Sequence, residues 1–199
     1  MFGAFEKEHQ LIAREYVSRE RVIDLGCGDG ERARVLSEIG AKEVLAIDYE
    51  IDRFRTRGDR VRFLPATFFD VVSRHDGLCD DYGVAHVAWP STNQLRDHSR
   101  SLIAILERID TVIYIGCNTG GTACGTPALF EHFRRRKLLV YAPSARNTLI
   151  VYGRMTDVAR RFVYHEELCG LRNDDYAYGP QPFSASLELF DASIYPPVI

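Results

Sequence analysis

Three glycines at positions 26, 28 and 30 and two aspartates at 24 and 48 are the residues whose type and spacing most directly suggest chemistry. Val22-Ile23-Asp24-Leu25 reads as a short buried strand that runs into the glycine-dense turn Gly26-Cys27-Gly28-Asp29-Gly30, and a helix-like stretch follows. Glycine lets backbone bend sharply and approach a ligand with no Cβ in the way. A turn of this kind between a strand and a helix forms a ligand-holding crevice at the carboxyl end of a parallel sheet. A second apolar strand, Glu43 to Ile47, ends in Asp48. A carboxylate at that place accepts hydrogen bonds from ribose hydroxyls. Together these pieces predict a pocket for an adenosine-containing cofactor.

The spacing narrows the choice of cofactor. A dinucleotide fingerprint, G-x-G-x-x-G, would need its third glycine where this chain has Glu31. A nicotinamide enzyme is therefore disfavoured. Asp24 beside the turn suits a ligand with a cationic end and would repel a pyrophosphate. The run Asp24-Leu-Gly26-Cys-Gly28-Asp-Gly30, with Asp48 after the second strand, resembles the class I S-adenosylmethionine-dependent methyltransferases. In that family the glycine loop and strand acid face the methionine part, and the second acid binds the ribose. The resemblance implies these roles for Asp24, Gly26, Gly28, Gly30 and Asp48, and extends the cofactor site to Cys27, Tyr49, Thr67 and Phe68.

Other positions leave alternatives open. The family usually carries an acid directly after its third strand to read the adenine amino group. Here that place holds Ala66 or Thr67, and the nearest acid is Asp70. Phe68 is a candidate to stack on the base and equally an ordinary core residue. The fourth strand, from Gly83 to Ala88, leads into Trp89-Pro90-Ser91. Amino-group methyltransferases of nucleic acids place Asp or Asn before Pro-Pro and an aromatic there, so their usual chemistry is disfavoured. His86 and Trp89 are the catalytic candidates, with structural roles equally open to both. Tyr114 is a similar case, acceptor-site lining or core. Asp97 and His98 are expected to open the fourth helix as capping groups. His132 is expected to pack or lie at the surface, and His165 to reach over the pocket from the tail.

These residues need a scaffold to position them. At 199 residues, 46% of them apolar, the chain is expected to form one domain, with a core over about 20–152 and a C-terminal extension over 153–199. The expected fold is a Rossmann-like α/β three-layer sandwich, its seven-stranded, mostly parallel sheet closed by an antiparallel strand. Apolar spacing predicts a lead-in helix over 4–18 and helices over roughly 30–39, 93–108 and 128–136. Strands are expected at 21–25, 43–47, 61–64, 83–88, 111–115, 138–141 and 147–152, with Leu187 to Phe190 as a competing closing strand. The second glycine cluster, Cys117 to Pro127, reads equally as a substrate-holding loop or a connector. The basic run Arg134 to Lys137 fits the last turn of a helix better than a phosphate patch.

Bulk properties set the remaining limits. A net charge of −3 argues against nucleic-acid binding by bulk charge, without excluding it as an acceptor. Five cysteines, one inside the glycine turn, and the lack of an apolar run of signal or membrane length predict a reduced, cytoplasmic, membrane-free protein. No residues stand at zinc-ligand spacing, and no metal is expected. The expected activity is transfer of a methyl group from S-adenosylmethionine to a small-molecule acceptor. The alternatives are a binding protein for that cofactor without transferase activity, and a nucleic-acid methyltransferase.

Overall fold

The computed structural model describes residues 4–56, 58–90, 92–117, 128–129, 132, 138–144 and 147–153. Five short runs rich in Val, Ile, Leu and Ala form parallel strands: β1 (Arg21–Leu25), β2 (Glu43–Asp48), β3 (Val61–Pro65), β4 (Val84–Ala88) and β5 (Thr111–Cys117). Near-continuous apolar runs suit strands buried on both faces, as in β2 and β4, whereas β3 at the sheet edge is only half-buried. They lie in the order β3-β2-β1-β4-β5. The chain continues through β6 (Leu138–Ser144) and β7 (Asn147–Tyr152). β7 pairs antiparallel with β5, and β6 antiparallel with β7. The β6–β7 register shifts between Tyr141 and Ser144. Pro143 lies in that interval and has no N–H to give the ladder.

Helices cover both faces. On one side lie α1 (Ala4–Val17) and α2 (Glu31–Glu38), whose Ala13, Tyr16, Val17, Ala33 and Leu36 pack on Val22, Val44, Ala46 and Ile113. On the other lie α3 (Phe68–Arg74) and α4 (Thr92–Leu106), whose Phe68, Val71, Leu95, Leu102 and Ile105 pack on Ile23, Leu25, Val87 and Tyr114. Helix α2 stops where expected. Ala41 N–H bonds the Leu36 carbonyl and Gly40 N–H that of Ser37, a Schellman ending.

Two local expectations change. Helix α3 escapes prediction, because its seven residues are too few to show a period. Its start is nonetheless written in the sequence. Thr67 Oγ1 accepts from Asp70 N–H while the Asp70 carboxylate accepts from Thr67 N–H, a reciprocal capping box. Asp97 and His98 do not open the fourth helix, which starts at Thr92. His98 instead sits at an internal kink, with φ −133°. The second glycine cluster beyond Cys117, the basic run 134–137, His165 and the Leu187–Phe190 register lie outside the described residues, as does the C-terminal extension beyond Gly153.

β1 lies between β2 and β4, so the connections from β1 and from β4 leave in opposite directions across the sheet. A crevice opens at the carboxyl ends of strands at such a switch point. The glycine turn sits there.

Candidate functional site

The turn after β1 is tied to the neighbouring strand. Gly26 and Cys27 both donate backbone N–H groups to the Ile47 carbonyl, at 2.8 and 3.1 Å. Gly28 N–H donates to Asp48 Oδ2 at 2.9 Å, and Glu50 N–H to Asp48 Oδ1 at 3.0 Å. Asp48 thus holds both the glycine turn and the start of its own loop. A carboxylate offers about four acceptor sites. The two amides leave lone pairs for a diol, the role expected of this residue from its place after β2.

All three glycines have positive φ, and their surroundings differ. A Cβ on Gly28 would meet nothing within 4 Å. A Cβ on Gly26 would touch Gln94 Oε1 at 3.7 Å and Phe68 Cζ at 3.8 Å, an ordinary contact. On Gly30 it would lie 2.4 Å from the Phe54 ring and 2.7 Å from Thr56 Oγ1. The segment after β2 folds back over the turn, with Arg55 N–H bonded to the Asp29 carbonyl at 3.0 Å and Phe54 stacked on Phe63. The side of Gly30 where a Cβ would stand is therefore filled by protein, not left for a ligand. Gly28 borders the open space.

Asp24 is buried in the sheet, and its register partner on β4 is His86. Asp24 Oδ1 lies 2.7 Å from His86 Nδ1. The second oxygen, Oδ2, is buried with no hydrogen-bond partner. On its other side, His86 Nε2 lies 3.2 Å from Nε2 of His9 on α1. His86, expected as a catalytic candidate, is buried in the middle of β4 and lines a small cleft beneath α1. His9 has no sequence signal. It follows the Ala13 and Tyr16 face of an amphipathic helix and meets a strand 77 residues away. Between the acids, the Cys27 thiol is pushed well above its ordinary pKa, first by burial and then by Asp24 and Asp48. The turn is an electronegative place that disfavours anions.

The remaining candidates divide. Trp89 ends β4 with φ +46°, rare for a bulky residue, and its N–H bonds the Ile115 carbonyl at 2.9 Å. The Arg32 guanidinium lies over its ring, 4.0 Å from the centroid. Gln94, from the first turn of α4, was missed by sequence reasoning; it is a buried polar residue beside Leu95, aimed at Gly26. Phe68 is 1% exposed and belongs to the core beneath the turn, without an open ring face. Thr67 spends its hydroxyl and amide on the α3 cap, and Asp70 is engaged in the same cap. Tyr49 is exposed, its hydroxyl donating to Glu50 at 2.7 Å. Tyr114 is core, and His132 is packed with Nδ1 3.9 Å from Glu107.

A strand order with its switch point at β1, an acid-flanked glycine turn and a second acid beside it define a Rossmann-like α/β protein. Solved structures share this fold. A ribosomal protein L11 methylase from Lactobacillus delbrueckii subsp. bulgaricus superposes with a TM-score of 0.52 at 16% identity, over 78% of this chain and 81% of that one. A protein from Streptococcus mutans, solved in complex with SAH (S-adenosylhomocysteine), matches with a TM-score of 0.50 at 14% identity, over 76% and 97%. An S-adenosylmethionine-dependent methyltransferase from Mesorhizobium loti matches at 20% identity with a TM-score of 0.43, and the chain spans about half of its length (55%). No protein-family model and no curated protein matches the sequence. The fold is that of the class I S-adenosylmethionine-dependent methyltransferases.

Proposed function

We propose that this protein is a methyltransferase that binds S-adenosylmethionine at the β1 turn and transfers its methyl group to a small-molecule acceptor. One observation carries the reading: Asp24 Oδ2 is buried without a partner beside a turn whose Gly28 borders open space. Burying a carboxylate oxygen unpaired is costly, and a cationic ammonium arriving there removes the cost. The methionine end of the cofactor has that group, and the acceptor sites left on Asp48 suit the ribose hydroxyls. The β6–β7 hairpin beside β5, with β7 antiparallel, supports reading the sheet as seven-stranded with an antiparallel closing strand.

The cofactor supplies a methyl group on a sulfonium, and the protein has to place an acceptor in line with it and exclude water. Trp89, held in a left-handed backbone at the end of β4, is the described residue best situated to form an acceptor wall. Its strained φ fits a position kept for function. His86 acts on Asp24 and not on the acceptor. A second reading, cofactor binding without transfer, is favoured by the Ala88-Trp89-Pro90 strand end, which offers no acid or amide to a nucleophile.

Calorimetric titration with S-adenosylmethionine and S-adenosylhomocysteine tests the cofactor. Asp48→Ala should reduce that affinity at least roughly a hundredfold, since it removes a charged acceptor and loosens the Gly28 amide. Undiminished binding by this variant would end the proposal. A labelled-methyl assay on cell metabolites then separates the readings, transfer supporting the enzyme and binding alone the second reading.

A further inference from the structure

The polar seam beneath α1 is more elaborate than cofactor binding requires, and the role assigned to it rests on the cofactor reading. His86 is bonded on both sides, to Asp24 Oδ1 and to His9 Nε2, and the two imidazoles stack with centroids 5.3 Å apart. A bond between two Nε2 atoms needs one donor and one acceptor, so both atoms cannot carry a proton together. With both rings neutral, His86 donates its Nδ1–H to Asp24 and accepts from His9. Asp24 then keeps its full negative charge. One added proton makes His86 a cation that donates on both sides, and its charge offsets that of Asp24. A second proton would set two N–H groups head to head at a separation of 3.2 Å and part the rings.

The charged and titratable groups that face His86 are Asp24 from β1 and His9 from α1, both within hydrogen-bond distance of it, and Arg32 from α2, which lines the same small cleft as His9 and His86. The Cys27 thiol, held protonated, adds no charge. From β5 the register partner is the apolar Ile113.

We infer that His9 and His86 are positioning residues that link protonation to cofactor capture: the neutral pair leaves Asp24 charged for the ammonium of the cofactor and pins α1 to the sheet, while the protonated pair rejects that group. Because the ligand cation prefers the neutral pair, its uptake releases a proton wherever the pair is partly protonated.

The test is calorimetry of the full chain with S-adenosylhomocysteine between pH 5.5 and 8, in two buffers of different ionisation enthalpy. Affinity should be roughly tenfold weaker at the acid end, with net proton release there. His86→Asn keeps a donor for Asp24 and cannot titrate, so its affinity should vary less than about twofold over the same range. His9→Phe leaves the His86 ring without its second partner and should weaken binding several-fold at pH 8. Should a variant fail to fold, imidazole nitrogen NMR of the unaltered protein gives the same answer. At pH 8 His86 should be the Nδ1–H tautomer, and at pH 5.5 it should lose a proton on addition of the ligand. Equal affinity at both ends of the pH range, or an unchanged slope in His86→Asn, overturns the linkage. Absence of binding at pH 8 to the unaltered protein instead overturns the cofactor reading itself.

Discussion

The two faces of the sheet are buried alike and built from different chemistry. Against α3 and α4, β1 and β4 present Ile23, Leu25, Ala85 and Val87, which join a hydrophobic cluster, with Gln94 of α4 a buried polar residue near Gly26. Against α1 and α2, alternate positions on the same strands present Asp24 and His86, with Asp48 on β2 and His9 descending from α1. Adjacent strand residues point to opposite faces, so one five-residue strand serves both purposes. The first face supplies stability through burial. The second gives some of it up for a charged group with an unmet hydrogen bond. The function proposed here falls on the face that is less well satisfied.

The contrast can be broken most forcefully on its apolar side. Leu102→Ala on α4 should cost about 2 to 5 kcal/mol in denaturant unfolding. It should leave the affinity of the folded protein for S-adenosylhomocysteine within about twofold, as distant sites act independently. A large affinity loss would show that the faces are not separable. The glycines give the next largest effect. Gly30→Ala combines a left-handed backbone with contacts under 3 Å to Phe54 and Thr56, and should cost about 2 to 4 kcal/mol of stability. Gly28→Ala has no such neighbour, so it should cost about 1 kcal/mol and act mainly by weakening ligand binding.

On the polar face, Asp24→Asn retains an acceptor for His86 and removes the charge. Affinity should fall roughly 10- to 100-fold while stability changes by no more than about 1 kcal/mol. An equal loss of stability and affinity would place Asp24 with the structural residues. The smallest effect lies away from both faces, at the α3 cap. Thr67→Ala should cost about 1 kcal/mol at neutral pH. Thr67 holds the Asp70 carboxyl below its ordinary pKa by hydrogen bonds from its hydroxyl and then its amide. A carboxyl lowered in the folded state stabilises above its unfolded pKa and loses that effect as pH falls through the folded value. The gap between the two proteins in thermal unfolding should therefore narrow below the ordinary value of 3.8.

The sequence was legible where a local rule governs. Strands β1, β2 and β5 announce themselves as apolar runs of strand length, and the glycine turn with its two acids marks the crevice. Distant neighbours erased the rest. His9 gains its meaning from His86, and His86 from Asp24 62 residues earlier, so the seam has no local signature. Gly30 reads as a ligand glycine until the return of Phe54 and Thr56 fills its open side. The cap of Thr67 and Asp70 is readable as a T-x-x-D start, but reading Thr67 as part of the cofactor site obscures it. The acceptor side had least to offer, because Trp89 is informative through its backbone angle and not through a motif.

The raised pKa of Cys27 has a consequence for the protein's own survival. A thiolate is a strong nucleophile and a neutral thiol a poor one. The turn places a cysteine next to the glycine that borders the open pocket, where an alkylating sulfonium would dwell. Burial and the flanking carboxylates keep that sulfur protonated. The same negative environment that would draw a sulfonium donor, on the function proposed above, thus keeps the neighbouring sulfur a poor nucleophile.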